Sequence, residues 1–128
     1  MPPRKSTTLT EAELRLMDVL WRKGPATVQE VLTGLPVWPP LAYNSVLTII
    51  RILEQKGYVR HVKQGRAYVY EPVVERQEAT RSEIRRLVRR FFQNSHELLV
   101  LNIIEDETID AKELKRLREM LESREETK

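Results

Sequence analysis

The chain has 128 residues, of which 41% are hydrophobic and 32% charged, a net charge of +3 and no cysteine. That length suits one ordinary domain or a compact domain with a small appendage, and the missing thiols exclude disulfides, thiolate metal sites and zinc fingers. Only 4 glycines argue for a mainly helical protein over a turn-rich β-sandwich, and the charge is uneven: residues 1–70 carry ten Lys/Arg against five Asp/Glu, residues 71–128 twelve against fourteen.

The opening MPPRKSTT is basic but lacks the apolar run of a secretory signal, and no stretch approaches the roughly 18–20 apolar residues that span a bilayer. These features predict a cytoplasmic protein whose residues 1–8 form a disordered basic tail. Thr10 and Glu13 then make a capping box, with Leu9 and Leu14 placed as a hydrophobic staple. The helix they open, 10–23, carries Leu14, Met17 and Trp21 on one stripe and Leu16 and Leu20 beside it. Lys23-Gly24-Pro25 ends it. Thr27 and Glu30 repeat the box before Val28, Val31, Leu32 and Leu35, and Pro36 stops this second helix.

A third helix, about 41–56, places Val46, Ile49, Ile50 and Leu53 inward and Asn44, Thr48, Arg51 and Gln55 outward, with Gly57 as its left-handed cap. The period then changes. Residues 58–62 and 67–70 are β-rich runs around Lys63-Gln64-Gly65-Arg66, a hairpin ended by Pro72. A long arginine-rich helix over 74–92 follows, striped by Ile84, Leu87, Val88, Phe91 and Phe92. Residues 96–105 are apolar nearly all round, and a last helix starts at Asp110, runs through Leu117 and Leu121, and gives way to a frayed tail over 124–128.

Three short helices and a hairpin, in that order, predict a mainly α fold with a β-hairpin wing: a winged helix-turn-helix over 9–73 and a helical domain over 74–123. A B-form major groove admits one helix, which must be apolar behind and polar in front. Asn44, Ser45, Thr48 and Arg51 supply that front. Arg51 suits a guanine edge or a phosphate, Asn44 an adenine, and Thr48 either role. Tyr43 and Leu47 suit thymine methyls or partial core packing, and Lys63 and Arg66 suit phosphates or the minor groove. A solvated face carries the same residue types, so it is the conjunction of helix order, hairpin and charge that favours duplex DNA as partner.

Positions 98–104 hold six apolar residues in seven, more than one short neighbouring helix can cover. Self-association answers this, with Ile84, Leu87, Val88, Phe91, Leu98, Leu99, Leu101, Leu117 and Leu121 as the dimerisation residues, although folding back onto the winged domain in a monomer is the alternative. His61 and His96 have no nucleophile or carboxylate arrangement beside them in sequence, so neither an enzyme nor a cofactor or metal site is expected. A winged helix that binds protein instead of DNA, or one released by a small effector, remains open.

With these residues in place the chain resembles the penicillinase-repressor family, the BlaI/MecI-type transcriptional regulators. The stretches that carry the resemblance are LTEAELRLMDVLW (9–21), YNSVLTIIRILEQKGYV (43–59), AYVYEP (67–72) and FFQNSHELLVLNIIE (91–105). The resemblance implies a dimeric repressor on a palindromic operator, released by cleavage through a membrane-bound sensor-transducer peptidase that answers β-lactam in the best-known members. The family's scissile Asn–Phe bond falls at Asn102–Ile103, where isoleucine replaces the aromatic residue. Asn94 stands where relatives often have glycine, and asparagine accepts the left-handed conformation. Copper-sensing relatives use C-terminal cysteines, which this chain lacks.

Overall fold

The computed structural model describes residues 8–126; residues 1–7 of the expected tail over 1–8 and the last two residues lie outside the described residues. Helix α1, Glu11–Lys23, opens on the predicted capping box: Thr10 Oγ1 accepts from the Glu13 N–H at 3.1 Å, and Glu13 Oε1 accepts from the Thr10 N–H at 2.9 Å. Thr27 and Glu30 repeat this at the start of α2, Val28–Gly34, where the box holds the Glu30 carboxyl below its ordinary range through the Thr27 backbone N–H. Helix α3, Tyr43–Lys56, starts two residues later than the predicted 41, with Ala42 as its N-cap in an extended conformation at φ −82 and ψ 160. Gly57 closes it at φ 89, the left-handed region where glycine carries no Cβ penalty.

Strands β1, Val59–Gln64, and β2, Ala67–Pro72, form an antiparallel hairpin in which Gln64 faces Ala67 across a two-residue turn, Gly65-Arg66. The turn is thus tighter than the four residues predicted, and Lys63 belongs to a strand. Gly65 at φ 62 provides the left-handed position such a turn requires. Arg60 and Glu71 are directly opposed, with Nε and Oε1 2.6 Å apart. Ala26 adds a third, one-residue rung: its N–H donates to the Tyr70 carbonyl at 2.9 Å and its carbonyl accepts from the Tyr70 N–H at 2.8 Å. The wing is thereby bonded to the segment between α1 and α2.

The core of this part gathers Leu16, Met17, Val19 and Leu20 of α1, Val28 and Val31 of α2, Val46, Ile50 and Leu53 of α3, and Tyr58, Val59 and Tyr70 of the hairpin, all buried. Leu14, predicted on the inward stripe, is exposed, and Ile49 is half-buried. Helix α4 spans Arg76–Phe91, α5 His96–Ile104 and α6 Ala111–Glu126.

The chain divides into two compact units between Ile84 and Arg85, eleven residues beyond the predicted boundary at 73/74. The reason is that the start of α4 belongs to the first core. Val74 and Ala79 are buried in it, Trp21 Nε1 donates to the Val74 carbonyl at 2.9 Å, and Arg76 pairs with Asp18 at 2.9 Å while lying over the Trp21 ring. Glu83 Oε1 also accepts from the Leu9 N–H at 3.1 Å. The predicted frayed tail is corrected as well: α6 continues through residues 124–126, which are good helix formers with no breaker among them.

Candidate nucleic-acid interface

The polar face of α3 is built by the three buried anchors behind it. Val46, Ile50 and Leu53 point into the core, so helical spacing aims Asn44, Thr48, Arg51 and Gln55 to the opposite side, and all four are exposed. Ser45 is exposed beside them. A shallow groove lined by Leu41, Asn44, Ser45, Thr48 and Ile49 runs along that edge. Thr48 Oγ1 donates to the Asn44 carbonyl at 3.0 Å, which leaves its lone pairs facing outward as acceptors. Tyr43 is 46% exposed and available at the start of the helix, whereas Leu47 is half-buried against the core, so packing takes most of its surface.

Lys63 and Arg66 are both exposed on the hairpin, Lys63 near the end of β1 and Arg66 in the turn. The wing is fastened to α3 by a constellation that the sequence did not disclose. Glu54 Oε2 lies 2.6 Å from His61 Nδ1 and accepts from the His61 N–H at 3.2 Å, while the His61 ring packs 4.7 Å from Tyr68 and 5.4 Å from Tyr70. A carboxylate therefore does stand beside His61, contrary to the sequence reading, and the seven-residue separation across a helix cap had hidden it. Burial, followed by the Glu54 carboxylate, pushes the Tyr70 hydroxyl above its ordinary range, and Arg51 pulls it the other way. Tyr70 thus stays neutral, within the field of both the helix and the wing.

The connector before α3 is the second feature missed. Val37 is 92% and Trp38 80% exposed in a proline-flanked loop that the Arg15 guanidinium holds through the Pro39 carbonyl at 2.7 Å. The signal in the sequence is a tryptophan set between Pro36 and Pro39, outside every predicted element.

In the second unit, α5 has no buried residue at all: Leu98, Val100, Leu101, Ile103 and Ile104 are all exposed, and Leu99 is half-buried. A mostly apolar groove of about 480 Å³ lies between α5 and α6, lined by Val100, Ile103, Ile104, Leu114, Leu117, Met120 and Leu121 together with Arg118 and Arg124. Leu117 is half-buried and Leu121 exposed; Ile84, Leu87 and Phe91 of α4 are exposed. Val88 is the exception among the predicted dimerisation residues, at 2% exposure. The N–H groups of Phe92 and Asn94 both donate to its carbonyl, bringing the chain back onto that residue, and Gln93 and Asn94 both take left-handed conformations at φ 51 and 65. The asparagine turn is as predicted; the left-handed glutamine before it was not anticipated. Asn102 and Ile103 are exposed in the last turns of α5, with Asn102 Nδ2 donating to the Leu98 carbonyl at 2.8 Å. His96 is exposed at the first position of α5. Among the described residues no helix is long and apolar enough to cross a membrane.

The penicillinase repressor family matches residues 9–123. The chain is 26% identical over 119 residues to the penicillinase repressor of Bacillus licheniformis, covering 93% of each protein. It is 39% identical over 75 residues to the transcriptional regulator BlaI of Mycobacterium tuberculosis, covering 58% of this chain and 54% of that one. Among solved structures, the DNA-binding domain of the repressor BlaI aligns at a TM-score of 0.52 and 28% identity, covering 59% of this chain and 93% of that domain.

Proposed function

The chain belongs to the penicillinase repressor family, and on that footing we propose that it is a cytoplasmic transcriptional repressor that binds a palindromic DNA operator as a homodimer. The observation that carries the reading is the exposed row of Asn44, Thr48, Arg51 and Gln55 on a helix anchored from behind by Val46, Ile50 and Leu53. Such a helix enters the major groove with its polar face on base edges, while Lys63 and Arg66 at the wing meet phosphates or the minor groove. The relatives, a penicillinase repressor and a transcriptional regulator, support this reading. No enzymatic chemistry enters the reading.

The dimer rests on α5. A nine-residue helix with no buried residue, on which Leu98, Val100, Leu101, Ile103 and Ile104 are all exposed, is unfavourable in water, at about 25 cal/mol for each Å² of apolar surface left uncovered. A second copy covers it by two-fold symmetry and sets two reading helices on successive major grooves, roughly 34–36 Å apart. Leu98, Leu99, Leu101, Leu117 and Leu121 of the second unit, with Leu87 and Phe91 of α4, are the residues assigned to this contact, and Ile84 is kept with them.

Release follows the family resemblance: cleavage at Asn102–Ile103 by a membrane-bound sensor peptidase severs the last two residues of α5 and all of α6, with Leu117 and Leu121, from the rest of the dimer contact. A protease takes an extended chain, so this helix must unwind first. Its lack of buried residues keeps that step inexpensive in a free protomer. A second reading, release by a small effector, has a physical place in the groove of about 470 Å³ between α1 and α4, where Leu9, Leu14, Trp21 and Ile84 surround the Asp18–Arg76 pair.

Selection from a pool of random duplexes tests the main reading. An enriched inverted repeat, whose affinity falls with salt at a log–log slope of about −0.9 per neutralised phosphate, supports it. Absence of any enriched sequence overturns it. Mass spectrometry of the chain recovered from its host after induction separates the two modes of release: fragments ending at Asn102 and beginning at Ile103 support cleavage, and an intact chain with a free operator supports the effector.

A further inference from the structure

The first part of the second unit holds two stretches of single-signed charge, and α6 after them carries both signs. Between Arg85 and Phe92 stand Arg85, Arg86, Arg89 and Arg90 with no carboxylate. Between Gln93 and Ala111 stand Glu97, Glu105, Asp106, Glu107 and Asp110 with no lysine or arginine. Within the protomer these blocks do not neutralise each other, because none of the nine side chains belongs to an ion pair among the described residues. Arg90 lies over the Phe91 ring at 5.2 Å. Asp106 accepts from the backbone and hydroxyl of Thr108, which lowers its pKa, and Asp110 Oδ1 accepts from the Glu113 N–H at 2.8 Å. The remaining carboxylates and guanidinium groups face solvent, apart from the half-buried Arg86.

We propose that the arginine block of α4 in one protomer pairs with the acidic block 97–110 of a second copy of this chain, so that reciprocal charge contacts fix the register of the dimer. The inference rests on the dimer reading above. Two observations choose a second copy as occupant. Both blocks lie in the unit whose apolar helix is uncovered, and in a two-fold dimer any contact between the two blocks is made twice. A duplex or an anionic lipid surface would meet the arginines but also five carboxylates within the next twenty residues, and the repulsion would oppose it. Apolar packing on α5 alone is non-directional, and nearly any rotation of one apolar rod on another buries similar area. Opposed charge blocks penalise the wrong registers, since like charges brought together cost several kcal/mol.

Sedimentation of the full chain without DNA tests this. Arg85→Glu with Arg89→Glu in one variant, and Glu105→Lys with Glu107→Lys in another, each weaken dimerisation about tenfold or more. Mixing the two variants restores dimers near wild-type strength. A mixed dimer has one contact of wild-type sign and one with both signs reversed. If mixing fails while all four substitutions in a single chain recover the dimer, the blocks pair within a protomer and the proposal is overturned. It is equally overturned if both variants dimerise as the wild type does, or if the arginine variant loses only duplex affinity. A wild-type chain that sediments as a monomer removes the dimer reading itself, a different result from wild-type dimers indifferent to these charges. Should a reversal fail to fold, Arg85→Gln with Arg89→Gln carries the comparison. It must leave dimers weaker and less sensitive to salt between about 0.05 and 0.5 M, and unchanged salt sensitivity contradicts the pairing.

Discussion

Glu13 Oε1 accepts a 2.7 Å hydrogen bond from Lys56 Nζ, joining the first turn of α1 to the last turn of α3 across the winged unit. The same oxygen accepts from the Thr10 N–H, and Lys56 Nζ reaches the Thr8 carbonyl at 3.2 Å. The capping box that starts the fold is therefore also the tie that holds the end of the reading helix. Glu13 is the buried charged residue of this core, at 4% exposure, and its Oε1 is met by both the Thr10 N–H and the Lys56 ammonium.

Lys56→Ala removes one partner and leaves the carboxylate buried. It lowers stability by about 1–3 kcal/mol, the range for a buried polar group deprived of a partner, as read by urea unfolding. Loss of less than a few tenths of a kcal/mol would show that water replaces the ammonium group there.

Gly34 ends α2 against α1, and a Cβ built on it would lie 2.9 Å from Val19 Cγ1. Val19 is buried and branched at Cβ, so it has little freedom to turn away. Replacing glycine by alanine within a helix ordinarily gains up to about 1 kcal/mol, but here overpacking of about 1–3 kcal/mol opposes it. Gly34→Ala is therefore expected to lower the melting temperature, and a raised one would contradict the close approach.

Glu54→Ala deletes the acceptor that both the His61 N–H and the His61 ring address. Since both side chains are partly exposed, global stability changes little. The wing loses its attachment to α3, and affinity for the selected duplex falls by about 1 kcal/mol, or roughly fivefold. Equal affinity in the variant would show that the strand pairing and the Ala26–Tyr70 rung position the wing unaided.

Leu101 is 46% exposed on α5. Leu101→Asp puts an unpaired charge into the proposed dimer contact and should yield monomers by sedimentation, at concentrations where the wild type is dimeric. Because the substitution lies outside the first core, unfolding of the winged unit stays unchanged. Persistent dimers would move the contact to another surface.

Much of the winged unit could be read from the chain because its signals are local. Thr10/Glu13, Thr27/Glu30, Gly57 and Gly65 each act within a few residues, and the 3.6-residue spacing of Val46, Ile50 and Leu53 fixes which side of α3 faces outward. What escaped depends on partners far apart in sequence. Trp21 with Val74, Leu9 with Glu83 and Asp18 with Arg76 carry the first unit beyond residue 73, and no local pattern announces them. Val88 shares a helical stripe with exposed neighbours, yet the turn at 92–95 returns onto it. Helical period gives direction around an axis, not what lies opposite.

The most direct test of the reading helix is the affinity of Arg51→Ala for the selected duplex, measured beside the wild type at one salt concentration. Loss of about 1–3 kcal/mol, with relaxed preference at a single base pair, is the expected result. Unaltered affinity and unaltered sequence preference would mean that the polar face of α3 does not lie on the bases.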